Sequence, residues 1–219
     1  MAQHYFDPDP DSTSRPSTAD LVLPDVHLRL HTDRGVFSPD KVDLGTRVLL
    51  ESVPAPPEHG RLLDLGCGYG PIALTMASRA PKATVLGVDV NARAVALARR
   101  NAAELGLGAR FAVVAPEAGL AVEQGPLPEA VAGPAAEDLQ GPFDALWSNP
   151  PIRVGKAVLH GMLRTWLGRL STEGTAHLVV QRHLGADSLH KWLTGQGWHV
   201  ERTASRAGFR VLAVRHSPS

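Results

Sequence analysis

The chain has 219 residues, 43% of them hydrophobic, with 22 basic and 22 acidic side chains. This length suits one domain with a sizeable core, and no run reaches the ~18 apolar residues of a membrane span, which excludes a helical membrane protein. Asp7, Asp9 and Asp11 stand where a secretory leader needs basic and then apolar residues, so the expected location is cytoplasmic. One cysteine, Cys67, excludes an intrachain disulfide, and without a CxxC pair a thiolate zinc site is not expected. His27 and His31 have i,i+4 spacing but no carboxylates in register, so no metal is expected. The zero net charge conceals an asymmetry: residues 1–149 hold 12 basic against 19 acidic side chains, residues 150–219 hold 10 against 3. A basic carboxy-terminal third is compatible with a polyanionic partner.

Residues 1–20 are rich in turn formers and read as an irregular arm. Leu21-Val22-Leu23 and Val26-His27-Leu28-Arg29-Leu30-His31 alternate as strands around Pro24-Asp25, a hairpin signal. Ser38 or Asp40 is placed to cap a helix over residues 41–52, which Pro54 stops. Arm, hairpin and helix, residues 1–55, precede the rest and are expected to fold over a ligand pocket carried by residues 56–219.

The chain is organised around Leu63-Asp64-Leu65-Gly66-Cys67-Gly68-Tyr69-Gly70. An apolar strand runs into alternate glycines and then, from Pro71, a helix. Such glycines admit positive φ and close approach of a ligand, and the helix start favours a polar or anionic group. The spacing is G-x-G-x-G with an acid two residues earlier, not the G-x-G-x-x-G of dinucleotide sites, so an NAD-dependent enzyme is disfavoured. Ala83-Thr84-Val85-Leu86-Gly87-Val88-Asp89 reads as a second buried strand ending in an acid. Asp89, 19 residues past Gly70, stands where a Rossmann-like sheet binds ribose hydroxyls, unless it merely caps the next helix, residues 92–105.

Phe111-Ala112-Val113-Val114 gives a third strand, and residues 115–142, rich in Ala, Pro, Gly and Glu, read as a flexible loop. Phe143-Asp144-Ala145-Leu146-Trp147-Ser148 then ends in Asn149-Pro150-Pro151-Ile152 at the carboxyl edge of the sheet. The Asn149 side chain and the Pro150 carbonyl are two acceptors on a backbone whose prolines offer no competing N–H. Two fixed acceptors suit a planar NH₂, whose lone pair they free for attack on an electrophilic carbon. Arg153 and Lys156 follow directly and are candidates for a substrate phosphate. A helix over residues 156–170, a fifth strand over 175–180, a helix over 185–195 and a hairpin of residues 198–204 and 209–214 turning at Arg206-Ala207-Gly208 complete the chain.

Asp64-x-Gly66-x-Gly68-x-Gly70, Asp89 and Ser148-Asn149-Pro150-Pro151-Ile152, preceded by Gly35-Val36-Phe37-Ser38 and Asp43-x-Gly45-Thr46-Arg47, resemble the class I S-adenosylmethionine-dependent methyltransferases. The likeness is to the small-domain branch that includes guanine-N2 methyltransferases of small-subunit ribosomal RNA, and it covers residues 30–215. It implies an α/β Rossmann-like fold with a seven-stranded, mostly parallel sheet, the last strand antiparallel and helices on both faces. It further implies S-adenosylmethionine as cofactor, with Phe37, Gly45 and Thr46 lining its pocket and an acid after the third strand, nearest Glu117, reading the adenine amine. The implied activity is methylation of an exocyclic base amine of RNA, with ribosomal RNA or a ribosomal subunit as partner. Ile152 departs from the family, since many relatives place Phe or Tyr there to stack on the target base. Methylation of a protein glutamine amide or a small-molecule amine, or a non-catalytic nucleotide- or RNA-binding module, stays open on the residues alone.

Overall fold

The computed structural model describes residues 12–116 and 141–218. Its centre is β3 (His59–Leu65), whose last four residues are buried on both faces. Leu62 packs into one hydrophobic cluster and Leu63 and Leu65 into another, so the sheet is covered on both sides. β4 (Lys82–Val88) lies parallel to β3 on one flank and β6 (Phe143–Ser148) on the other. β5 (Phe111–Val114) extends the first flank, and β7 (Leu170–Gln181), β9 (Phe209–His216) and β8 (Trp198–Arg206) extend the second. The order β5-β4-β3-β6-β7-β9-β8 reverses direction between β3 and β6. That reversal opens a crevice at the carboxyl ends of the two strands. β9 is antiparallel to both neighbours, giving the seven-stranded sheet and antiparallel final strand expected from the sequence.

Helices α1 (Leu44–Ser52), α2 (Pro71–Arg79) and α3 (Ala92–Glu104) cover one face, and α4 (Lys156–Leu167) and α5 (Ala186–Gly195) the other. Val48, Leu49 and Leu50 bury the apolar stripe of α1, each worth about 1.5–3 kcal/mol. A separate hairpin, β1 (Ser17–Val22) with β2 (His27–Thr32), packs Leu21, Leu28 and Leu30 into the same cluster. Buried Asn101 on α3 ties it down: its Oδ1 accepts from the N–H of His31 at 2.7 Å, and its Nδ2 donates to the carbonyls of His31 and Tyr69. One amide thus joins the hairpin to the glycine turn.

Several boundaries differ from those expected. β1 starts at Ser17, inside the segment read as irregular, because Ala19 is too small an inward residue to announce the alternation completed by Leu21. α1 starts at Leu44 with Asp43 as cap, not Ser38 or Asp40, since the Asp43 carboxylate accepts from the N–H of Thr46. α4 ends at Leu167 and β7 begins at Leu170. The polar residues between Leu170 and Thr175 hide that start, and a register shift opposite Phe143 and Ala145 absorbs them.

Candidate active site

The crevice is a cavity of about 360 Å³ built from the ends of β3, β4, β6 and β7, the start of β9 and the segment leading into α1. Ser148 at the end of β6 donates to the carbonyl of Leu65 and closes the floor between the two central strands.

The glycine turn stands on one wall. Gly68 has φ 55° and Gly70 φ 101°, both in the left-handed region that disfavours a side chain. A Cβ on Gly68 would meet no atom within 4 Å, so the space above this residue faces the cavity it lines. Gly70 caps α2, with Pro71 at its first position as expected. The N–H groups of Gly66 and Cys67 bond the Val88 carbonyl, that of Gly68 bonds Asp89, and that of Gly70 bonds the Cys67 carbonyl. The turn therefore offers a ligand close backbone approach more than the row of unpaired donors that its sequence suggests.

Two carboxylates lie under and beside it. Asp64 is fully buried; its Oδ2 accepts from the N–H of Ala73 at 2.8 Å, while Oδ1 has no hydrogen-bond partner among the described residues. Burial pushes its pKa well up, and the charge of Asp89 adds to this. Asp89 lines the cavity and takes the N–H of Gly68 at 2.7 Å and of Asn91 at 2.9 Å, one on each oxygen. Its pKa is raised, again chiefly by burial. The cap of α3 is Asn91, so Asp89 is free of that duty, and its carboxylate keeps acceptor capacity for a ligand.

Asn149 faces this wall. Its Nδ2 donates to Asp43 Oδ2 at 2.9 Å and to Thr46 Oγ1 at 3.2 Å. A carboxylate only accepts, so the amide nitrogen is the group turned toward α1 and Oδ1 is left for other partners. The Pro150 carbonyl accepts from the N–H of Ile152 at 2.9 Å, which leaves one of its lone pairs. Phe37, 44% exposed, and Phe209, at the start of β9, contribute rings to the cavity wall, as do buried Tyr69 and Trp166.

Of the residues singled out in the sequence, Phe37, Thr46, Gly66, Gly68, Asp89, Asn149, Pro150, Pro151, Ile152 and Arg153 line this one cavity. Asp64 and Gly70 stand behind the turn and shape it. Gly45 does not line the cavity; a Cβ there would lie 2.7 Å from the Phe209 ring, so the bare glycine lets α1 seat on that ring. Lys156 is exposed at the start of α4, outside the lining. Glu117 lies outside the described residues, and Pro116 before it lines the cavity. Sequence reasoning assigned no role to Asp43 or Phe209. The signal for Asp43 was its position three residues before Thr46, a capping spacing; for Phe209 it was an aromatic directly after the Ala207-Gly208 turn.

A family model described as the methyltransferase small domain matches residues 27–213. The chain belongs to the methyltransferase small domain family. It is 34% identical over 98% of its length, and 99% of the other's, to the "Uncharacterized protein YbxB" of Bacillus subtilis (strain 168). It is 34% identical to the ribosomal RNA small subunit methyltransferase C of Aeromonas hydrophila, matching 73% of this chain and 42% of that protein. Among solved structures, the Thermus thermophilus 16S rRNA N2 G1207 methyltransferase (RsmC), in complex with AdoMet and guanosine, superposes with a TM-score of 0.67 at 25% identity, over 95% of this chain and 52% of that one. The chain thus spans about half or less of these two methyltransferases but nearly all of the Bacillus protein.

The protein is an S-adenosylmethionine-dependent methyltransferase, and its site fits that cofactor. Asp89 at the cavity wall offers carboxylate oxygens to a polar ligand, and the orphaned oxygen of Asp64 lies behind the turn. Gly68 leaves the approach open, and apolar residues line most of the cavity. No helix among the described residues is long and apolar enough to cross a membrane.

Proposed function

We propose that this methyltransferase acts on an exocyclic base amine of RNA, guanine N2 of ribosomal RNA, with residues 1–55 forming the cover of the cofactor pocket. The observation that carries this reading is the fixed amide of Asn149 beside the Pro150 carbonyl, two oriented oxygens at the switch point of the sheet. In support, the solved relative carries AdoMet together with guanosine. Asp89 is the residue for the ribose hydroxyls, Gly66 and Gly68 for close approach of the methionine end, and Phe37 and Thr46 for the pocket wall. Glu117 is the proposed reader of the adenine amine.

The acceptor amine donates its two hydrogens to Asn149 Oδ1 and the Pro150 carbonyl, which turns its lone pair out of conjugation with the ring. S-adenosylmethionine held by Asp89 and the Gly66–Gly68 turn would supply an electrophilic methyl carbon to that lone pair, with its sulfur leaving as a neutral thioether. Asn149 and Pro150 then stabilise the positive nitrogen until a proton leaves to water. Holding the two reactants in line is the largest contribution, where avoided entropy alone supplies ~7–11 kcal/mol. Ile152 gives the base an apolar edge, and Phe37 and Phe209 give the aromatic face that Ile152 lacks. Arg153 at the cavity and Lys156 at the first position of α4 meet the phosphates. The reading is tested by mass mapping of ribosomal RNA nucleosides from a strain lacking the gene. Loss of one N2-methylguanosine, restored by the purified protein, is the expected result; an unchanged nucleoside map overturns it.

A further inference from the structure

Both hydrogens of the Asn149 amide are taken by one short segment, 103 and 106 residues away in sequence. Asp43 Oδ2 receives Nδ2 at 2.9 Å and also the backbone N–H of Thr46 at 3.1 Å. One oxygen thus caps α1 and holds the amide across the cavity. Gly45 keeps that oxygen accessible, because a Cβ there would lie 2.9 Å from it.

An amide that donates to a carboxylate is polarised: density moves from nitrogen toward oxygen, and its oxygen becomes a stronger acceptor. With both hydrogens held, rotation about the Cβ–Cγ bond is also stopped. We infer that Asp43 is a positioning residue for methyl transfer: it locks the Asn149 amide with Oδ1 toward the acceptor amine and strengthens that oxygen as the amine gains positive charge. The inference rests on the reading of Asn149 as the amine acceptor. It places a formal negative charge one hydrogen-bonded group away from the developing ammonium, close enough to stabilise it, while the substrate itself meets only a neutral amide. The device also makes the first turn of α1 part of the reaction centre, so helix capping and chemistry share one side chain.

Three variants separate these duties. Asp43→Ser keeps a capping hydroxyl for the Thr46 N–H but loses the charge and the reach to Asn149. Single-turnover methylation of total RNA from a strain lacking the gene is expected to slow roughly ten- to hundredfold, as for loss of a hydrogen bond to a charged group. Melting temperature and S-adenosylhomocysteine affinity stay at wild-type values. Asp43→Asn keeps an acceptor oxygen for both bonds but loses the charge, and its rate is expected to fall between that of Asp43→Ser and wild type. In an Asn149→Ala background, Asp43→Ser adds no further loss, since the group it acts through is gone. A wild-type rate for Asp43→Ser, or an equal cost in both backgrounds, overturns the role of Asp43 and leaves that of Asn149 standing. A wild-type rate for Asn149→Ala overturns both. Should total RNA accept no methyl group, the RNA reading fails, and the relay is still read by NMR of asparagine-labelled protein. The Asn149 side-chain amide hydrogens are expected to exchange slowly in wild type and fast in Asp43→Ser; fast exchange in wild type overturns the inference.

Discussion

The carboxylate of Asp89 reaches across the end of β4 to the backbone of Gly68, Oδ2 to N at 2.7 Å, so the acid assigned to the ribose also holds the turn assigned to the methionine end. Its other oxygen takes the N–H of Asn91, which caps α3. Removing this side chain therefore takes away a ligand contact and frees a loop at once. Asp89→Ala is expected to weaken binding of S-adenosylhomocysteine by about a hundredfold, or ~3 kcal/mol, from lost charge-assisted hydrogen bonds. Asp89→Asn retains an oxygen for the Gly68 N–H and is expected to fall between. Calorimetry on the folded variants measures this, and an unchanged dissociation constant for Asp89→Ala removes Asp89 from the cofactor site.

Asn149→Ala is expected to lower kcat roughly a hundred- to a thousandfold, ~2.7–4 kcal/mol, with cofactor affinity little changed, because its bond to the amine strengthens as charge develops. Asn149→Asp would keep an acceptor, and from the sequence alone it promises to be the milder change unless the amide N–H₂ also orients the turn. In the structure that N–H₂ is held by Asp43 and Thr46. The new carboxylate would stand where Nδ2 lies 2.9 Å from Asp43, so two like charges would replace a hydrogen bond. Asn149→Asp is expected to be at least as slow as Asn149→Ala near neutral pH. Steady-state rates of the two variants decide it: if the aspartate variant is clearly the faster, the Asp43 contact does not constrain the turn.

The framework was legible because it depends on local signals. The run from Leu63 to Gly70, the acid closing β4 and the Asn-Pro-Pro turn closing β6 each announce themselves within a few residues, and topology then brings those strand ends together. What the sequence could not show lies in contacts between distant segments. Asp43 sits 106 residues from Asn149, and no periodicity links a helix cap to a strand-end amide. The dual bond of Asp89 was hidden for the same reason, as was Phe209, whose place beside Gly45 depends on β9 lying next to β7. The boundary errors at Ser17 and Leu170 come instead from small or polar residues that blur an alternation which tertiary pairing nonetheless enforces.

Arg153 and Lys156 follow the Asn-Pro-Pro turn, Arg153 lining the cavity and both side chains exposed. If they meet phosphates, each releases about one condensed counterion on binding. Arg153→Ala with Lys156→Ala is then expected to lower the slope of log affinity for RNA against log salt by roughly one to two units. Filter binding at several salt concentrations measures the slope, and identical slopes for variant and wild type would place the RNA elsewhere.

His177 on β7 offers a test of stability in place of activity. It is 7% exposed, meets Trp147 edge-on with centroids 6.5 Å apart, and its Nδ1 has no hydrogen-bond partner among the described residues. Burial, with a smaller contribution from the Arg215 charge, pulls its pKa down to about 4. An unfolded histidine titrates near 6.5, so the native state binds fewer protons than the unfolded state between those values. Stability from the neutral ring is therefore fully present above about pH 6.5 and is lost progressively as pH falls to about 4, by ~3 kcal/mol in all. A His177→Gln variant has no titrating group at this position. Urea unfolding between pH 7 and pH 4 is expected to show a shallower loss of stability for the variant than for wild type, whatever its starting stability. Parallel curves for the two proteins would mean that His177 takes up its proton in the folded protein as readily as in the unfolded chain.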